Sequence, residues 1–178
     1  MKKTKKEDSQ YKWVLTVFVT AVVLSAVLSL VSESILDSTD IAVAVLTLTL
    51  FIGLGIVFDV IGVAATAADP KPFHSMAAHR ERGAKEALFL LRNASRVSSV
   101  CNDVVGDICS IVSGATGAVI VVQLQQALHL QSVLVSVVVT ALISGLTIGG
   151  KALSKTFAMR QSTRVVYWTG CFLHLFHR

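Results

Sequence analysis

The stretch IAVAVLTLTLFIGLGIVFDVIGVAATAA, Ile41 to Ala68, decides the fold class. It is apolar throughout except for one ionisable side chain, Asp59. An α-helix needs roughly 20 mainly apolar residues to cross about 30 Å of hydrocarbon, and this run exceeds that. The rest of the 178-residue chain agrees, with 53% hydrophobic residues and a mean hydropathy of +0.70. One soluble core of this size cannot hide so much apolar side chain, whereas a bilayer can.

Working outward, three more apolar runs appear. Trp13 to Val31 follows a basic tail, MKKTKKEDSQYK, and carries a Trp at its mouth, as interfacial anchors often do. A secretory signal has a shorter apolar core of about 7–15 residues and a small-residue cleavage site. This run is longer and has no clear A-x-A site, so it reads as an uncleaved anchor. On the other side of the central stretch, Val97 to Val122 is apolar but contains Asn102, Asp103 and Asp107, and Val133 to Gly150 forms the last run. The expected class is an all-α, polytopic membrane protein with about four transmembrane helices and amphipathic juxtamembrane helices.

Charge placement sets the expected orientation. The tail before Trp13 holds Lys2, Lys3, Lys5, Lys6 and Lys12; the 69–96 segment holds Lys71, Arg80, Arg82, Lys85, Arg92 and Arg96; the tail after Gly150 holds Lys151, Lys155, Arg160, Arg164 and Arg178. These are all 16 bases of the chain, and the acidic loop 32–40 and the Gln-rich loop 123–132 have none. The positive-inside rule then places both termini and the middle segment in the cytoplasm of a cell-membrane protein. Four crossings satisfy that arrangement and three do not. The net charge of +5 is explained by topology, and nucleic acid is not an expected partner. Cys101, Cys109 and Cys171 lack metal-type spacing and read as reduced packing residues. His74, His79, His129, His174 and His177 show no catalytic arrangement, and an enzyme is not expected.

The 69–96 segment reads as a helix pair. Pro72 suits the start of a helix, and Phe73, Met76 and Ala77 share a face. After Gly83, the residues Ala84, Ala87, Leu88 and Leu91 repeat the pattern. Either an interfacial amphipathic helix or an ordinary connecting helix fits. Tyr167, Trp168, Phe172 and Phe176 suggest a further interfacial stretch. Small residues at four-residue spacing, Ser110, Gly114 and Ala118 in the third run and Gly145 and Gly149 in the fourth, suit close helix contacts, within one chain or across a homodimer.

Ionisable groups in hydrocarbon cost about 2.5–3.5 kcal/mol on insertion scales and usually face a cavity or a partner. At 1.5 Å per residue, Asp59 and Asp107 lie roughly 14–15 Å from the cytoplasmic ends of their runs, so they could meet between antiparallel helices. Asp103 shares a face with Asp107, and Asn102 is one residue off it. Hard cations such as Mg²⁺ take oxygen ligands, often one or two carboxylates plus water. A divalent-cation site is one account of these acids. Neutralisation by a proton, pairing with Lys151, or capping of a backbone break is the other.

Three segments in order resemble the transmembrane domain of the CNNM and CorC/CorB magnesium transporters. GKALSKTFAMRQSTRVV, Gly150 to Val166, is similar to that family's G-E-x-x-P-K-T-L-A segment with the R-x-x-x-R-V that follows. GAKEALFLLRNASR, Gly83 to Arg96, resembles its A-x-x-A-L-x-L-L-x-N-P-x-R belt helix, and VVGDICSI, Val104 to Ile111, its I-G-N-x-L-V-N-I. FDVIGVAATAADPKPF, Phe58 to Phe73, takes the place of its F-S-G-x-E-T-A-L segment. The resemblance implies a three-crossing domain over residues 41–166 with belt helices at about 70–96. It leaves 1–40 as a basic tail, an added anchor and a short acidic external loop, and 167–178 as an amphipathic tail. It implies a dimer in the lipid bilayer and a cytoplasm-facing site near mid-membrane that binds or moves Mg²⁺. Asp107 stands at the family's Asn and Gly106 at its Gly, and Asp59 stands near a family Ser. Asn102 and Asp103 would line the approach. Lys151 stands at the family's Glu and Ser154 at its Pro, and the family's nucleotide-binding CBS pair has no counterpart in these residues. Those departures keep open a scaffold or accessory subunit in which Lys151 neutralises the buried acids.

Overall fold

The structure, a computed structural model, describes residues 2–36, 41–127 and 133–176. Over these residues it is helical apart from short connecting turns, with no strand. The order is α1 (Lys2–Leu36), α2 (Ile41–Ala67), α3 (Lys71–Ala78), α4 (Ala84–Arg92), α5 (Ala94–Ser98), a π-helical segment (Ser99–Gly106), α6 (Asp107–Ala127), α7 (Val133–Arg160) and α8 (Ser162–Phe176). Four stretches are long and apolar enough to cross a bilayer: Tyr11–Ser32, Ile41–Ala67, Ala94–Ala127 and Val133–Arg160. They carry their apolar side chains outward. Val14, Leu15 and Phe18 on α1 and Leu142, Leu146 and Ile148 on α7 are all exposed, a surface that suits hydrocarbon and not water.

The expected boundaries shift in three places. α1 continues back through the basic tail to Lys2. α6 runs through Gln123 and Gln125 to Ala127, so half of the expected 123–132 loop is helix. α7 does not stop at Gly150 but goes on to Arg160, carrying Lys151 and Lys155. Long basic side chains can extend from the end of an apolar helix toward water, so they need not end it. The acidic segment 37–40 and residues 128–132 lie outside the described residues.

α2 is central and packs against α6, α7, the π segment, α5 and α8. Three layers make its core. Ala44 and Leu48 meet Ile120, with Ile52 and Ile143 alongside. Phe51 meets Val104, Ile108, Cys109 and Val112, where α1 adds Val17, Ala21, Leu24 and Leu28. At the basic end, Ala64 packs with Phe73, Ala87, Ala158 and Val166. The Ala94–Ala127 stretch is the most enclosed of the four, whereas α1 and α7 are open to their surroundings. Two buried hydroxyls in it are satisfied locally, Ser113 donating to the Cys109 carbonyl at 2.7 Å and Thr116 to that of Val112 at 2.9 Å. Ser32 of α1 shares a 3.2 Å hydrogen bond with Thr116 and ties the anchor to the bundle.

The expected helix pair in 69–96 is present as α3 and α4. Their apolar face is covered by protein: Phe73, Ala84 and Ala87 are buried, and α4 packs on α8. Such packing accords with the connecting-helix alternative, and the exposed Phe89 of α4 leaves the pair a second apolar surface. The crossing is close. Gly83, at φ 79°, sits so near the backbone of Cys171 that a Cβ would lie 2.6 Å from its nitrogen. A left-handed φ and a close approach both favour glycine there. His174 Nδ1 and Glu86 Oε1, 2.8 Å apart, join the same two helices at their exposed edge. On α8, Trp168 and Phe172 are exposed and Tyr167 is half-buried; the Phe176 side chain lies outside the described set.

Candidate functional site

The polar residues of the bundle gather where α2 faces the π segment. Asp59 is 4% exposed, and its Oδ2 is buried with no hydrogen-bond partner. One turn further along α2 is Gly62, and the side-chain amide of Asn102 lies directly over it, in the space a Cβ would need. Asn102 donates from Nδ2 to Ser98 Oγ at 3.2 Å, and its Oδ1 is buried without a partner. Two acceptor oxygens, a carboxylate oxygen on α2 and an amide oxygen packed on α2 one turn further along, are thus buried without partners. Buried polar atoms are rarely left so, because an unmade hydrogen bond costs about 1–3 kcal/mol.

Gly106 forms the third side. A Cβ on it would lie 3.6 Å from Asp59 Oδ1 and 3.9 Å from Lys151 Nζ, so the carboxylate and the ammonium both come close to one point of backbone. The ammonium donates to Ser110 Oγ at 3.0 Å and lies 3.4 Å from the Gly106 carbonyl. It forms no ion pair with Asp59 among the described residues. Lys151 reaches this layer because α7 continues past Gly150, which packs on Ile56 of α2. The π segment spans the residues that face Asp59 and Gly62. Such segments are uncommon and frequently accompany functional sites.

Of the five residues expected at a cation site, the structure sets Gly106 against Asp59 and places Asn102 over Gly62, one turn along α2 from Asp59. It does not bring Asp103 and Asp107 to them, since both are exposed. The depth count allowed Asp59 and Asp107 to meet, but it is Gly106, the residue before Asp107, that faces Asp59, and Asp107 is exposed. The reason is packing. The inward stripe runs through Cys101, Val104, Ile108 and Val112, and the acids lie off it. Among the described residues no three His, Cys, Asp or Glu side chains converge as a metal-holding group.

Gln125 donates to Ser136 at 2.9 Å at the end of the bundle away from the bases, and the layer lies toward the other end, which carries Arg92, Arg96 and Lys155.

Sequence reasoning did not identify Ser98, Gly62 or Ser110 as parts of this layer. The D-x-x-G spacing of Asp59 and Gly62 is the one trace of it in the sequence, because residues three apart share a helix face. Comparison of the chain with protein-family models, with curated proteins and with solved structures finds no match.

Proposed function

We propose that this chain is a multi-pass cell-membrane protein, with both termini cytoplasmic, that binds a hard cation of the Mg²⁺ class between α2 and the π segment. The observation that carries this reading is the pair of buried, unpartnered oxygens, Asp59 Oδ2 and Asn102 Oδ1. Oxygen donors without protons are what such cations take, completed by water. The segments similar to the magnesium transporters add support. Asp103 and Asp107 are exposed and act as an acidic approach, drawing cations toward the layer. Lys151 is the built-in competitor: its ammonium stands on the Gly106 carbonyl and Ser110 Oγ, one side chain away from the carboxylate a cation would use. Movement of the ion then requires Lys151 to yield and return. A homodimer belongs to the same reading, supported by Gly145 and Gly149, which have open space where a Cβ would stand.

The test is Mg²⁺ flux into proteoliposomes for the wild type, Asp59→Asn and Asp107→Ala. Saturable flux that Asp59→Asn abolishes and Asp107→Ala retains agrees with the reading; flux unaffected by Asp59→Asn removes it. The second reading, a scaffold or accessory subunit neutralised by Lys151, is favoured by that same ammonium. Lys151→Gln separates the two. It tightens Mg²⁺ binding if Lys151 is a competitor, and it lowers thermal stability without any binding if Lys151 is only a counter-charge.

A further inference from the structure

A groove of about 950 Å³ opens on the outside of the bundle between α2 and α8, with Phe157 of α7 at its side. Its volume falls in the range of small-molecule sites, about 300–1,000 Å³. One wall is apolar, formed by Leu54, Val57 and Ile61 of α2. The other belongs to α8 and presents Arg164 and Trp168. Both are exposed, and Arg164 forms no ion pair among the described residues. The α2 wall lies about 20–30 Å from Ile41, in the half of the hydrocarbon next to the bases.

We propose that this groove holds one anionic glycerophospholipid, an acyl chain lying along α2 and the phosphate on the Arg164 guanidinium. The two chemistries of the groove fit such a molecule together. A purely apolar occupant, such as a partner helix, would leave Arg164 buried without a counter-charge, which is costly. An anionic headgroup meets that charge, and the planar guanidinium suits phosphate oxygens. Trp168 fits the headgroup level, where indoles collect. Basic pockets between membrane helices on the cytoplasmic side are where anionic lipids dock. The inference does not depend on Asp59.

The two Trp of the chain make the test direct. With Trp13→Phe as background, Trp168 is the sole indole. The full chain is placed in phosphatidylcholine nanodiscs containing a small mole fraction of either phosphatidylglycerol or phosphatidylcholine with brominated acyl chains, and Trp168 quenching is read. The expected result is about a fivefold preference for the anionic lipid, the size of one basic contact to an anionic headgroup. Arg164→Gln removes the preference. Val57→Phe, which fills the apolar wall, weakens quenching while Arg164 stays intact. Equal quenching by the two lipids, quenching unchanged by Val57→Phe, or protection of Trp168 from both lipids by self-association of the chain overturns the proposal.

Discussion

Asp59 and Asp107 carry the same carboxylate at the same level of the bundle and have opposite surroundings. Asp59 is enclosed, with one oxygen unpartnered; Asp107 is exposed, and its neighbour Gly106 occupies the inward position. Residue type and depth therefore do not decide which acid is enclosed. The turn of the helix does. An enclosed carboxylate has few competing water contacts, which is why the proposed cation site is assigned to Asp59. An exposed one is already hydrated, and its charge acts on ions only through a screened field.

That contrast can be broken at either acid. Asp59→Asn is expected to weaken Mg²⁺ binding by more than about 100-fold, beyond the 10–100-fold that groups outside the ligand shell contribute. Asp107→Asn should change it by less than about fivefold, since exposed charges are worth about 1 kcal/mol or less. Calorimetric titration of both variants measures the difference, and comparable losses would erase it. Gly62→Ala sharpens the same point without touching a charge. Its methyl enters the space of the Asn102 amide, and overpacking of this kind costs about 1–3 kcal/mol. A lowered thermal midpoint together with weakened binding is expected, and a normal midpoint with normal binding would show that Asn102 is not held where the structure has it.

Lys151→Gln acts in the other direction. It removes the ammonium next to the layer, and Mg²⁺ affinity should rise roughly tenfold, about 1.4 kcal/mol, when read by titration at fixed ionic strength. The smallest effect on folding is expected at Gly145→Val. Nothing lies within 4 Å of the position its Cβ would take, so stability within one chain should stay within about 0.5 kcal/mol. A shift toward monomer on size-exclusion chromatography is expected for the same variant, because the open glycine face is the proposed dimer contact.

The four apolar spans were legible because length and hydropathy set them, and the helix pair at 69–96 because Pro72 and Gly83 punctuate it. Which way each span faces was not. Ile41–Ala67 is apolar almost all round, so no stripe distinguishes its inner side, and the orientation of Asp59 is fixed by neighbours far along the chain. The π segment was also invisible. It places Asn102 over Gly62, a contact between residues forty apart. Lys151 could be named as a possible partner of the acids, but not that it would donate to Ser110 and a backbone carbonyl while leaving Asp59 Oδ2 and Asn102 Oδ1 unpartnered.

The central claim is that Asp59 and Asn102 together form a cation site. Isothermal titration of MgCl₂ into the full chain in nanodiscs, at constant ionic strength, tests it most directly when the wild type is compared with Asp59→Asn and Asn102→Ala. The account predicts one saturable site in the wild type, lost in Asp59→Asn and weakened at least about tenfold in Asn102→Ala. Identical heats for the three proteins, or no saturable heat in the wild type while Lys151→Gln also shows none, would contradict it.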